Sequence, residues 1–341
     1  MSAIRRAKIY ARERTPLEEV IPLQAPFSVQ VDICSACNMK CNFCFHSDTG
    51  TIKKTGIKFG AMSLELFKKI IDDMHLCWGG QKIKKLKLFK IGEPLMNPDA
   101  ARMVAYAKNA GVAECIEITT NGTLLNKKLS LGLIDAGLDI LNISVNGINE
   151  QQYMDACQYE MDFQDFYRKI EFFYYHKKDC KVFIKYSDIG YTEAEKQNFY
   201  QIFEAVSDEI FVETISSTLW QNTNIGRKIN NAHKGTYGQE LKQKEVCPFL
   251  FTTMVINNFG IAHLCCVDWK TEYILGDLKT EKIADIWNGE TLRRYQMLHL
   301  KKMKDVVPLC RQCESLSANT TDDIDDYAEV ILERLERGGP A

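Results

Sequence analysis

The 341-residue sequence predicts an α/β fold: a partial (β/α)6 barrel of the TIM type, followed by a small C-terminal domain. Two observations predict the barrel. Strand-like alternation and helical apolar stripes succeed one another six times between residues 28 and 215. Parallel strands need crossover helices of this kind. A third observation predicts the second domain: beyond residue 215 the alternation stops, and cysteines return in the last hundred residues.

The elements follow in order. Phe27–Ile33 alternates and is rich in β-formers, and Met62–His75 carries a helical stripe at Leu64, Phe67, Ile70, Ile71 and Met74. Lys85–Lys90 is the second strand. Asp99–Ala110 is a helix that Gly111 suits as a C-terminal cap. Glu114–Thr119 is the third strand, and the helix Lys127–Ala136 stops at Gly137. Asp139–Val145 is the fourth strand, Phe163–His176 an aromatic helix and Lys181–Ser187 the fifth strand. Thr192 and Glu195 form a capping box that opens another helix. Glu209–Thr214 is the sixth strand. Six units rather than eight predict an open barrel, with chemistry at the C-terminal strand ends: after Ile33, Lys90, Thr119, Val145, Tyr186 and Thr214.

Beyond the barrel, Trp220–Glu245 is polar and irregular. Thr252–Ile256 and Ile261–Cys265 flank the turn Asn257-Asn258-Phe259-Gly260, a hairpin signal. Helical segments follow at Ile283–Trp287 and Thr291–Lys302. The expected organisation is an N-terminal extension (1–27), the barrel (28–215), a linker or lid (216–245), the small domain (246–318) and a tail (319–341).

Composition bounds the function classes. Hydrophobic residues make up 45% and charged residues 26%, as in ordinary globular chains. A formal net charge of −2 gives no electrostatic reason for a nucleic-acid or anionic-membrane partner. Apolar runs such as Phe249–Ile256 are too short to span a bilayer, and no apolar run follows the N-terminal Arg5-Arg6 as in a signal peptide. A cytoplasmic location is expected. In that reducing compartment, 13 cysteines point to metal or redox chemistry rather than disulfides. Cys77, Cys115, Cys157 and Cys180 are scattered and read as small buried hydrophobes.

Cys37, Cys41 and Cys44 form a C-x3-C-x2-C run directly after the first strand. Three thiolates on one short loop can hold three irons of a [4Fe–4S] cube and leave the fourth open to a small molecule. With Cys34, the same run can instead hold tetrahedral zinc. The run, with Phe43 before its last cysteine, resembles the signature of the radical S-adenosylmethionine (SAM) superfamily. That resemblance implies that SAM binds the open iron and is cleaved to a 5′-deoxyadenosyl radical, with Cys34 a bystander.

Further motifs carry the resemblance. Gly92-Glu93-Pro94, ending strand two, is similar to the family's Gly-Gly-Glu motif, with Ile91 where the first glycine is usual. Asn121, in Thr119-Thr120-Asn121-Gly122, closes strand three. Ser144 and Asn146, in Ser144-Val145-Asn146-Gly147, resemble the family's Ser-x-Asp-Gly, with Asn146 replacing the acid. Lys185 lies in strand five, where relatives often carry a basic residue near the SAM carboxylate. Phe43, Gly92, Glu93, Asn121, Ser144, Asn146 and Lys185 are thus the implied SAM-binding residues.

The C-terminal cysteines resemble a SPASM/twitch extension, which binds auxiliary clusters. Cys247, Cys265, Cys310 and Cys313 are the implied ligands of one auxiliary [4Fe–4S] cluster. By its offset from Gly260, Cys265 is the ligand of the Cys265-Cys266 pair, which leaves Cys266 free or pointing into the active site.

A saturated auxiliary cluster suggests electron transfer. The resemblance implies a radical SAM oxidoreductase that dehydrogenates a sugar or aminocyclitol alcohol. Glu213 would take a proton, and Trp220 would stack on a sugar ring. Alternatives are an epimerase in which Cys266 returns the hydrogen, a modifier of ribosomal peptides, and a non-catalytic zinc-binding scaffold. About 27 residues precede strand one, too few for a precursor-binding domain, which favours a small-molecule substrate over a peptide. The implied electron donor is flavodoxin- or ferredoxin-like.

Overall fold

The computed structural model describes residues 3–7, 14–215, 234–311 and 313–338. Trp220 and most of the expected linker lie outside the described residues. The strands are β1 (Ile4–Arg5), β2 (Ser28–Val31), β3 (Ile83–Lys87), β4 (Ala113–Thr120), β5 (Ile140–Val145), β6 (Lys181–Asp188), β7 (Glu209–Thr214), β8 (Thr253–Ile256), β9 (Ile261–His263) and β10 (Ile274–Asp277). The helices up to β7 are α1 (Leu17–Val20), α2 (Thr49–Thr55), α3 (Leu64–Cys77), α4 (Ala100–Ala110), α5 (Lys127–Asp135), α6 (Glu150–Cys157), α7 (Phe163–His176) and α8 (Glu193–Phe203). After β7 come α9 (Phe249–Thr252), α10 (Ile283–Trp287), α11 (Glu290–Leu300), α12 (Pro308–Arg311), α13 (Ser315–Ala318) and α14 (Ala328–Glu336).

Local signals set the element ends. The Ser63 hydroxyl accepts from the Leu66 N–H at the start of α3. Thr192 and Glu195 form the expected capping box of α8. Gly111 ends α4 at φ 64°, a left-handed conformation that glycine adopts without cost. The helices bury their apolar stripes on the sheet; Phe67, Ile70 and Ile71 of α3 are fully buried. Each such side chain stabilises the fold by about 1.5–3 kcal/mol.

All ten strands form one sheet in the order β1-β7-β6-β5-β4-β3-β2-β8-β9-β10. From β1 to β8 every neighbouring pair is parallel, so the parallel part has eight strands rather than the expected six. The two additions sit at opposite edges. β1 is two residues long, too short to show a periodicity. β8 belongs to the expected hairpin with β9, but it also pairs in parallel with β2, Ser28 opposite Thr253 and Val31 opposite Ile256. The small domain therefore begins as a continuation of the barrel sheet.

Alternation along the strands divides the sheet into two faces. Val29, Leu86, Ile116, Ile118, Leu141, Ile143 and Ile184 are fully buried in the apolar core. Gln30, Lys87, Glu117, Thr119, Asn142, Lys185 and Glu213 line a cavity of about 570 Å³ on the concave side. A lumen lined by charged and polar side chains is a site rather than a packed core.

Candidate active site

The cysteine loop follows β2. Cys37, Cys41 and Cys44 are half-buried on it, and their charges act on one another. Burial pushes the Cys37 thiol up to about 11 and the Cys44 thiol up to about 12. A hydrogen bond with Cys157, then burial, raises Cys41 well above the ordinary range.

Three structural ties hold the loop. First, Gly92 presses on it: a Cβ there would lie 2.3 Å from the Cys34 carbonyl oxygen and 2.5 Å from that of Ala36. Only glycine fits that contact, and the Glu93 N–H donates to the Ala36 carbonyl (2.8 Å). Second, Asn121 Nδ2 donates to Asn38 Oδ1 (2.8 Å), and Asn38 Nδ2 donates to Thr123 Oγ1 (2.9 Å). Third, the end of α6 accepts from the loop: Lys40 N–H to the Cys157 carbonyl (3.0 Å) and Asn42 N–H to that of Ala156 (2.8 Å).

Glu93 is 2% exposed, and its carboxylate is committed within the protein. Oε1 accepts from the Leu95 N–H (2.9 Å) and the Thr120 hydroxyl (2.6 Å); Oε2 accepts from the Asn121 N–H (2.7 Å). The carboxylate thus joins the segments that follow β3 and β4. Burial outweighs these donors and raises its pKa to about 7. Asn146 Nδ2 points at Cys41 Sγ (3.9 Å), while the Asn146 carbonyl accepts from the Tyr191 hydroxyl (2.6 Å). Phe43 packs half-buried against the core. Ser144 shares the face of β5 with Asn142. Lys185 Nζ donates to Glu213 Oε2 (2.8 Å), and both line the lumen.

The second group of thiols is assembled from separate segments. Cys247 precedes α9, and its N–H donates to His299 Nδ1 (3.2 Å). Cys265 and Cys266 follow β9, and Cys310 and Cys313 frame the end of α12. The Cys247 thiol feels the charges of Cys313, Cys310 and Cys266. The Cys265–Cys266 hydrogen bond pushes Cys265 up and Cys266 down; Lys90 and Lys87 add to the fall of Cys266. Cys265 and Cys266 both line the lumen.

Contacts tie the two thiol groups together. Phe45, just past Cys44, packs tilted against Trp269 with ring centroids 4.6 Å apart. Lys90 Nζ donates to the Asp268 carbonyl (3.1 Å). Sequence reasoning missed Cys157, whose fully buried thiol meets Cys41, because a lone cysteine carries no spacing signal. It also missed Asp32 and Lys87, ordinary strand residues until the sheet turns them inward.

The donor sets fit iron–sulfur clusters. Thiols raised by burial and by one another become ligands once a metal takes their protons. Three thiols on one loop and four gathered beyond the barrel match the thiolate counts a [4Fe–4S] cube takes, with and without a small-molecule ligand.

The comparisons agree with this geometry. Residues 31–186 match the radical SAM superfamily, and residues 247–314 match the iron–sulfur cluster-binding SPASM domain. The chain belongs to the radical SAM superfamily and carries a SPASM domain. These domains bind SAM, a [4Fe–4S] cluster and additional iron–sulfur. Among particular relatives, the GTP 3′,8-cyclase of Chlorobaculum tepidum is 30% identical over 37% of this chain. The match spans only 34% of that cyclase. The tungsten-containing aldehyde ferredoxin oxidoreductase cofactor-modifying protein of Pyrococcus furiosus is 24% identical over 83% of this chain and 86% of its own. The structure of BtrN in complex with AdoMet and 2-DOIA superposes with TM-score 0.55 at 15% identity, covering 88% of this chain and 98% of BtrN. No described helix is long and apolar enough to cross a membrane.

Proposed function

We propose that this chain is a radical SAM oxidoreductase that dehydrogenates an alcohol of a small polyhydroxylated substrate, a sugar or aminocyclitol, bound in the barrel lumen. One observation carries the reading: Cys265 and Cys266 line the same cavity as Lys185 and Glu213, so a substrate held at the strand ends lies against the auxiliary thiols. When bound, SAM with its cluster supplies the hydrogen-abstracting radical, and the auxiliary cluster supplies an electron acceptor.

The chain's own residues then have distinct tasks. Cys37, Cys41 and Cys44 would hold the first cluster; Cys247, Cys265, Cys310 and Cys313 would hold the second. Gly92, Asn121 and Asn146 touch the cysteine loop, and Ser144, on β5, lies two residues before Asn146; SAM would lie against them. Glu213 is 6% exposed and takes the proton of the substrate hydroxyl, with Oε2 oriented by Lys185.

Epimerisation is the second reading, favoured by the position of Cys266 on the lumen wall. Its thiol would return a hydrogen atom from the face opposite to abstraction. One assay separates the two. Reconstituted enzyme, reductant and SAM are incubated in deuterium oxide with candidate polyols, and products are read by mass spectrometry. A product two mass units lighter, formed with about one 5′-deoxyadenosine each and no added oxidant, supports dehydrogenation. A product one mass unit heavier supports epimerisation. Absence of 5′-deoxyadenosine under reductant sinks both.

A further inference from the structure

The lumen holds more cations than carboxylates among its described residues. Three ion pairs cancel within it: Lys185 with Glu213 at 2.8 Å, Arg14 with Asp322 at 2.5 Å, and Lys85 with Glu117 at 3.6 Å. Lys87 and Lys90 remain. Lys90 donates to the Asp268 carbonyl and lies in the fields of Asp32 and Asp268. Lys87 makes no hydrogen bond or ion pair with any described residue. It is half-buried on a central strand, in register between Gln30 and Glu117. The opposing groups beside it are Glu117, already paired with Lys85, and the Cys266 thiol, so the lumen keeps an excess positive charge here that favours an anion.

We infer that the substrate carries a phosphoryl group, as a monoester or diphosphate, and that Lys87 binds it. The inference rests on the lumen being the substrate site. Three arguments narrow the ligand to phosphate. Lysine binds phosphate as a point charge, whereas planar carboxylates favour the fork of arginine, and the unpaired cation here is a lysine. A cavity of about 570 Å³ accommodates a phosphorylated sugar. Register fixes the third: Lys87 stands level with Glu117, three residues below the strand end at Thr120. That is about 10 Å along the strand, the reach of a sugar ring between an anchored phosphate and a carbon at the strand ends. An aminocyclitol ammonium would instead meet like charge.

The test is anaerobic equilibrium dialysis of radiolabelled pyrophosphate against SAM-loaded holoenzyme. The expected result is saturable binding at about one site per chain, weakened about tenfold or more in Lys87→Met. Lys87→Arg should keep most of it, and Lys128→Met, on the exposed side of α5, should keep all of it. No saturable binding to wild type, or equal binding by Lys87→Met, overturns the proposal. Competition by acetate as strong as that by inorganic phosphate overturns the phosphoryl assignment. Absent phosphate binding, together with a lower auxiliary-cluster potential in Lys87→Met, would give the charge to the cluster and also overturn it. Release of 5′-deoxyadenosine from the same samples once reductant is added separates the two readings. Phosphate binding without SAM cleavage keeps the anion site and sinks the enzyme; SAM cleavage without phosphate binding does the reverse.

Discussion

The two thiol groups are built in opposite ways. Cys37, Cys41 and Cys44 lie within eight residues of one loop, held from outside by Gly92, Asn121 and the end of α6. Cys247, Cys265, Cys310 and Cys313 come from a chain segment before α9, a hairpin end and a terminal turn, and their thiols act on one another across those segments. A local loop with three thiolates leaves one iron for a small molecule; four thiolates gathered from a distance close the coordination. On the proposed ligand sets, the contrast would make the first site a reaction centre by its incompleteness and the second an electron site by its completeness.

The largest effect should come from breaking each site in turn. A Cys37→Ala/Cys41→Ala/Cys44→Ala variant should lose about four irons and all 5′-deoxyadenosine formation. Cys313→Ala should lose the auxiliary cluster, yet still cleave SAM under reductant without oxidising substrate. Iron counting and chromatography of deoxyadenosine check both. If the second variant also loses SAM cleavage, the sites are not separable in the way their construction implies.

The same contrast explains what could be read in advance. The first site was legible because its ligands, and Gly92, Asn121 and Asn146 around it, sit at predictable strand ends. For the second, spacing brought out the cysteines but not their surroundings. The parallel pairing of β8 with β2 depends on a tertiary edge that no local pattern marks. The ion pair of Lys185 with Glu213, which is in register beside Ser187, carries no sequence signal, since the two lie 28 residues apart on neighbouring strands. Lys87 and Asp32 carry no such signal, since their meaning depends on which side chains the sheet brings beside them.

Acidification should separate the two regions by sign in the cluster-free protein. Near the first site, burial raises Asp32 and Glu93 to about 7. Near the second, burial lowers His263 and His299 to about 4. The raised carboxyls are protonated more readily folded than unfolded, so their region gains stability as pH falls from about 7 towards the unfolded value. The histidines do the reverse: the unfolded chain takes up protons below about 6.5, and stability is lost down to about 4. Between pH 7 and 5 each group shifts local stability by about 2 kcal/mol, in opposite directions. Hydrogen exchange should show protection falling around β9 and α11 while the ends of β3 and β4 hold or gain. Uniform loss would show that the regions open as one unit.

The smallest effect should be at Cys157. With Cys41 ligating iron as thiolate, the Cys157 thiol becomes a donor to its sulfur, alongside Asn146 Nδ2 at 3.9 Å. Hydrogen bonds to ligand sulfur stabilise the more negative, reduced cluster and raise its potential. A weak S–H donor is worth roughly 0.5–1 kcal/mol, so Cys157→Ala should lower the potential of the first cluster by about 20–40 mV. Cys157→Ser, which restores a donor, should return most of the shift. The auxiliary cluster should not move in either variant, because Cys157 touches only the cysteine loop's side of the molecule. A redox titration followed by electron paramagnetic resonance reads both clusters in one sample. An unchanged first potential in Cys157→Ala would return Cys157 to the packing role its isolation in the sequence suggests.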